Sequence, residues 1–450
     1  MALILQEFLT FIGVPQDAPL QIKLSSLPSW MDFQMSKDDM PEAFRGCPIL
    51  PDHQPAAVVA VWHPKRSKWQ FTVMKGCPYG LGSVVVIFNR YSTYLTAMAR
   101  RVLGLVSAAY FDDVAVVDVG ACAEESQALM RELLASHDTA PKPSKSFPMA
   151  PHRVFLGTAV SLAGVMEDGT ISLSPKEQSR SSAVVDIRMA IESRQLRPPA
   201  AAKIRGKCNW VGSNSFGRLG RLGLAVLKEF QTGGVCEVSD AQAQRLSFLL
   251  EVMCKIPPRH ISVMQQPTNP VLVYIDAEFS SGANLPARLG WVVFPDRTSR
   301  PVGKTLLLSQ TFMDSLKPRS QQIFPAEAVA TVAATWSEYQ LLRSRDVLWF
   351  IDNESAAAAT IRGASREPDV ELIVQVAHVL WLHLGCRVWL EWIDSHSNPA
   401  DGLSRAGLED SWTKKQNWAL SEAEHFPWKG LPGRPDVYAE ELRRHWGFAG

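Results

Sequence analysis

Two apolar runs in the last third of the chain end alike, VLVYID at Asp276 and VLWFID at Asp352. A carboxylate at the end of a core strand is costly to bury unless it is paired or bound to a metal. The two runs therefore suggest strands of one sheet that deliver their acids to a common place. Glu327, near the start of the predicted helix FPAEAVATVAATW, and Asp401, at the start of a later helix, could complete a set of four. The plain alternative is that Asp276 and Asp352 are ordinary turn acids at strand ends. Around them WVVF and TLLLSQ suggest partner strands and RVWLEWID a further one, so this region reads as a mixed sheet with helices packed on it.

A second acidic feature lies far upstream. In SAAYFDDVAVVDV the pair Asp112 and Asp113 separates two apolar runs, which predicts two strands around a tight turn. Like charges held together resist ionising unless a cation is near, so the pair is either an exposed turn or the tip of a metal-binding hairpin. Before it, AAVVAVWH and KWQFTVMK predict a strand pair, and VVVIFNRYSTYLTAMARRVLGLV a helix shifting to strand near its end. Residues 121–136 predict an amphipathic helix. The region from about Ser181 to Pro270 reads as mainly helical, closed by the breaks PPRH and QQPTNP.

At 450 residues the chain is too long for one core. With 46% hydrophobic and 20% charged residues it is globular rather than disordered. No apolar run approaches the roughly 18 residues of a membrane helix, and MALILQEFLTFIG lacks the basic start of a signal peptide. Seven cysteines without CxxC pairing suggest reduced thiols, hence an intracellular protein in cytoplasm or nucleus without a membrane partner. Net charge is only +1, yet Ser193 to Lys228 holds eight basic residues and no acid, with Trp210 and Phe216 interleaved. That segment is either a nucleic-acid path, with Lys203, Arg205, Lys207, Trp210, Arg218 and Arg221 as its candidates, or a solvated surface with core aromatics.

Four motifs stand in a telling order: D-M-x-x-A-F-R from Asp39, KGCPYGLGS from Lys75, YFDD at Tyr110, and Lys145 shortly before the FLG of Phe155–Gly157. Together they resemble the reverse transcriptases of long-terminal-repeat and tyrosine-recombinase retroelements. The downstream HSNPADGLSR, with the Q-x-I-x-x-x-E approach to Glu327, resembles the RNase H domain of retroelement polyproteins. The resemblance implies an α+β multidomain chain: a reverse-transcriptase-like palm with reduced fingers over 1–180, a helical thumb or connection over 181–268, an RNase H-like mixed domain over 269–406, and a Trp-containing tail over 407–450. The fingers are expected to be reduced because only 38 residues precede Asp39.

It also implies site residues. Asp39, Asp112 and Asp113 would hold two Mg2+ ions for nucleotidyl transfer, and Asp276, Glu327, Asp352 and Asp401 two more for hydrolysis of RNA, with Mn2+ as a possible substitute. Phe44 matches an aromatic gate against the ribose 2′-hydroxyl. Pro78, Tyr79 and Gly80 match a loop supporting template and incoming nucleotide, and Lys145 a lysine assisting pyrophosphate departure. His396 matches a histidine that assists product release. Asp38 competes with Asp39, Glu338 with Glu327, and Asp394 with Asp401. Expected partners are an RNA template, a DNA primer, deoxynucleoside triphosphates and an RNA–DNA hybrid, and oligomeric state is open. The implied activity is RNA-directed DNA polymerisation with RNase H cleavage. The alternatives are a nuclease with an inactive structural palm, or a retroelement-derived nucleic-acid-binding protein without enzymatic activity.

Overall fold

The computed structural model describes residues 2–42, 44–78, 82–213, 218–234, 236–264, 269–280 and 287–424. The chain forms two compact units, one of Met1–Lys176 with Pro258–Gln265, the other of Glu177–Pro257 with Gln266–Gly450. The class is α+β, as the sequence implied.

In the first unit β1 (Phe33–Asp39) is followed by a separate hairpin of β2 (Val58–His63) and β3 (Lys68–Val73). The helix Gly82–Arg101 leads into β4 (Val106–Tyr110) and β5 (Asp113–Val119), then the helix Ala123–Ser136 and β6 (Phe147–Ala150). The sheet order is β4-β5-β1-β6, antiparallel throughout. Period-two alternation sends side chains to two cores. Val114 and Val116 meet Phe88, Leu95 and Met130 of the two helices, while Phe33, Met35 and Ala115 face the other way. On that other side lies a second antiparallel sheet, β7 (His152–Phe155), β8 (Thr158–Ser161), β9 (Thr170–Pro175) and β10 (Arg259–Ser262). The prolines at 257 and 258 suggested only a break. Instead Arg259–Ser262 pairs along β9, because a proline just before a strand costs it no ladder hydrogen bond.

The second unit opens with helices Glu177–Ser193, Pro198–Ser213, Arg221–Thr232 and Asp240–Lys255 around one apolar core. Its sheet runs β11 (Val271–Phe279), β12 (Ala287–Phe294), β13 (Val302–Leu308), β14 (Asp346–Ile351), β15 (Arg387–Trp392) and β16 (Ala419–Glu422), in the order β15-β14-β11-β12-β13-β16. β11, β12 and β13 are antiparallel, whereas β14 runs parallel to β11 and β15 parallel to β14. Helices Ile323–Ser337 and Pro368–Leu384 cover one face, over Val271, Val273, Ile275, Trp349 and Ile351. Of the tail tryptophans, Trp418 packs on Phe294 just before β16 extends the β13 edge, while Trp428 and Trp446 lie outside the described residues. Among the described residues no helix is long and apolar enough to cross a membrane.

Candidate active sites

The parallel register of β11 and β14 sets Ile275 beside Ile351, so Asp276 and Asp352 stand next to one another. Asp352 follows the last residue of β14, whereas β11 runs on past Asp276 to Phe279 rather than ending there as the sequence suggested. The helix Ile323–Ser337 packs on the same strands and brings in Glu327, which is 2% exposed. Carboxylate oxygens of Asp276, Glu327 and Asp352 lie within 4.8 Å of one another. Glu327 Oε1 accepts from the Ala277 amide at 3.2 Å, but Oε2 is buried with no hydrogen-bond partner. Burial, and then the Asp352 and Asp401 charges, push Asp276 up to about 7. Burial and the charges of Asp276 and Asp352 raise Glu327 well above the usual carboxylate range. Three largely buried carboxylates at this spacing repel unless a proton or a cation joins them. An orphaned acid oxygen and an all-oxygen donor set fit Mg2+ or Mn2+.

Asp401 stands outside that trio, with its carboxylate 2.8 Å from the Arg405 guanidinium. The loop before it is tied to β11: Asn398 Nδ2 donates to the Ile275 carbonyl at 2.8 Å and its Oδ1 accepts from the Ala400 amide at 3.1 Å. In the helix Asp401–Arg405, Ser404 Oγ donates to the Asp276 carboxylate. Gly290 on β12 is the cross-strand partner of Asp276, and a Cβ there would come 2.5 Å from the Ser404 amide. Only glycine lets this short helix lie so close to the sheet. His396 is exposed and, with Tyr274, Phe294, Asp401, Arg405 and Trp412, lines a cavity of 630 Å³. The competing acids have other surroundings. Glu338 is ion-paired to Lys304 at 2.9 Å and accepts from the Trp291 indole at 3.1 Å, and Asp394 is exposed.

In the first unit Asp39 ends β1 opposite Asp113 at the start of β5. The β4–β5 connection is the two residues Phe111 and Asp112, with Phe111 at φ +54° and its carbonyl held by Ser92 Oγ at 2.7 Å. A left-handed phenylalanine is strained and persists because its surroundings fix it. The Asp112 carbonyl accepts from the Met40 amide at 2.8 Å, which draws the hairpin tip to the end of β1. Burial and the nearby Asp39 and Asp113 charges raise Asp112 above its ordinary range, against a lowering backbone hydrogen bond. Two lysines pair with two of these three acids: Lys145 Nζ is 2.9 Å from Asp39, and Lys37 Nζ is 2.9 Å from Asp113. Asp38 is sealed from solvent, accepting from Gln127 at 2.9 Å, Arg131 at 3.1 Å and the Ser146 hydroxyl. It ties β1 to the helix Ala123–Ser136, which leaves Asp39 as the acid beside the hairpin.

Phe44 is half-buried, edge-on to Phe88 at 5.5 Å and Phe111 at 6.5 Å. Pro78 is half-buried, and Tyr79 and Gly80 lie outside the described residues, as does Phe216. Of the basic candidates, Lys203 is exposed on the helix Pro198–Ser213, and Trp210 is 47% exposed on the same helix. Lys207 instead turns inward to Asp186 at 2.6 Å. Arg205 donates to Gln231 at 2.8 Å. Burial, and then the charges of Arg218 and Arg205, lower Arg221, so these three guanidinium groups form one positive cluster.

Lys37, Asn398, Ser404 and Gly290 were not singled out from the sequence. Lys37 adjoins Asp38 and Asp39, and Asn398 and Ser404 fall inside HSNPADGLSR, so proximity to the motifs was their only signal.

No protein-family model matches the chain and no curated protein matches it. Solved structures do. A foamy viral protease-reverse transcriptase described as bound to double-stranded DNA is 13% identical, at a TM-score of 0.40, over 85% of this chain and 60% of that one. A second such complex gives 12% and 0.39 over 80% and 68%. A third, with an RNA/DNA hybrid, gives 11% and 0.38 over 88% and 69%. This chain thus spans about 60% of the length of the first of them.

Proposed function

We propose that the chain performs phosphoryl chemistry with divalent cations, cleaving the RNA strand of RNA–DNA hybrids at the Asp276 cluster and extending a DNA primer on an RNA template at the Asp112 hairpin. The observation that carries this is the trio Asp276, Glu327 and Asp352, with ligand oxygens within 4.8 Å and one buried oxygen left without a partner. Asp276, Glu327 and Asp352 would hold Mg2+, with Asp401 close by. Bound there, the cations supply a nucleophilic water and neutralise the departing oxygen. The protein's own part is to fix the ligands. Ser404 and the Ala277 amide orient Asp276 and Glu327, and Asn398 clamps the loop that carries Asp401. His396, which lines the adjoining cavity, would assist release of the product. In the first unit Asp39, Asp112 and Asp113 would hold the ions, Lys145 would meet the leaving pyrophosphate, and Phe44 would press on the nucleotide sugar. Arg205, Arg218 and Arg221 would follow a hybrid's phosphates.

A second reading keeps only the nuclease. Lys37 and Lys145 already pair with Asp113 and Asp39, so two of the three palm acids have a cation beside them without metal. Two assays decide. Magnesium-dependent cutting of a labelled RNA–DNA hybrid, lost in Asp352→Asn, is expected, and its absence in folded protein would sink the nuclease reading. Primer extension lost in Asp112→Asn supports the full reading, whereas no extension leaves the nuclease alone.

A further inference from the structure

We infer that the β2–β3 hairpin, which contributes no residue to either acid cluster, is a docking arm for single-stranded nucleic acid. A lone two-stranded hairpin is marginal in water, and its apolar residues ordinarily turn toward a core. Here they do not. Cross-strand partners point to the same face, and the register pairs Val58 with Val73, Ala60 with Phe71 and Trp62 with Trp69. That face is an open aromatic stripe: Trp62 is 47% exposed, Trp69 58% and Phe71 71%. The two indoles hold each other edge-to-face, centroids 5.6 Å apart, which stiffens the arm without hiding it. From Val58 to Trp62 the stripe is about 14 Å long at the usual rise per residue, room for two or three bases.

Charge identifies the occupant. The turn carries Lys65 and Arg66, Lys68 opens β3 beside it, all three are exposed, and Ser67 takes φ +45° to close the turn. From His53 through Phe111 the sequence contains no aspartate or glutamate, while Lys65, Arg66, Lys68, Lys75, Arg90, Arg100 and Arg101 all fall within it. A partner meeting this arm must be both anionic and able to cover aromatic rings. Single strands offer phosphates and free base faces together, and base–aromatic stacking tolerates any sequence. A duplex hides its base faces, so it would engage the basic turn alone.

The test uses the full chain in EDTA, which silences both proposed active sites. Anisotropy of fluorescein-labelled dT12 and rU12 is read over a range of salt, beside a duplex of equal length. Expected is tighter binding of the single strands than of the duplex, with Phe71→Ala weakening them about tenfold and the duplex little. The triple variant Lys65→Glu, Arg66→Glu, Lys68→Glu should flatten the logarithmic salt slope by about 2. dT12 and rU12 binding alike supports recognition of the shared chemistry, and preference for either one identifies the natural strand. Single-strand binding unchanged in both variants would overturn the proposal. So would self-association of the chain that Phe71→Ala abolishes while oligonucleotide binding stays intact, since the face would then join two proteins. Metal-dependent turnover is measured separately, so failure there leaves this result standing.

Discussion

At the scale of single residues, the Asp276 cluster makes stability depend on pH and metal in a definite sense. Folding lifts Asp276 to about 7 and Glu327 upward as well. A carboxylate whose folded value lies above its unfolded one favours the folded state at low pH, below about 4. That contribution is lost as pH rises through the folded value. Without divalent ions, the chain should therefore lose on the order of 3 kcal/mol from Asp276 between pH 4 and pH 8. Asp276→Asn should melt higher than the parent at pH 8 in EDTA, and at pH 4 the two should converge. Magnesium should raise the parent's melting temperature at pH 8 and leave the variant's nearly still. Calorimetry at both pH values, with and without magnesium, checks this. A parent melting temperature indifferent to magnesium would remove the metal from the site.

At the scale of elements, the approach of the helix Asp401–Arg405 to β12 turns on Gly290. An alanine Cβ would meet the backbone of Leu403 and Ser404 within 2.8 Å, and backbone cannot swing aside as a long side chain can. Gly290→Ala should push that helix outward at about 1–3 kcal/mol of stability. Ser404 would then release Asp276, and hybrid cleavage should fall at least about tenfold with substrate affinity little changed; unaltered cleavage would show the close approach to be dispensable. This contact also marks the limit of sequence reading. VLVYID and VLWFID were legible as strands carrying acids because apolar runs are local patterns, and so were the YFDD hairpin and the helix after it. That β11 runs on past Asp276 to Phe279 was not, since its pairing with β12 decides it. Gly290 looked like any glycine in a strand, since its reason lies more than a hundred residues away in the helix of Ser404. The A-F-R spacing favoured Asp39 over Asp38, but the role of Asp38 was out of reach, because Gln127, Arg131 and Ser146, which hold it, all come from beyond the hairpin. The strand Arg259–Ser262 was hidden for the same reason, its partner β9 being distant along the chain.

At the scale of the whole molecule, the two acid sets belong to two compact units, each with its own sheets and apolar cores. Among the described residues, Asn398, Ser404 and Gly290 serve Asp276, whereas Ser92, Lys37 and Lys145 serve the Asp112 hairpin. Substitutions far apart with no shared partner act independently. Asp352→Asn should therefore abolish hybrid cleavage and leave primer extension within about twofold of the parent, and Asp112→Asn should do the reverse. The double variant should lose both activities while keeping the parent's affinity for oligonucleotides in EDTA, because basic and aromatic side chains rather than the acids carry that binding. Measuring all three activities on the four proteins separates the cases. If Asp112→Asn also stopped hybrid cleavage in folded protein, the two sites would not be independent.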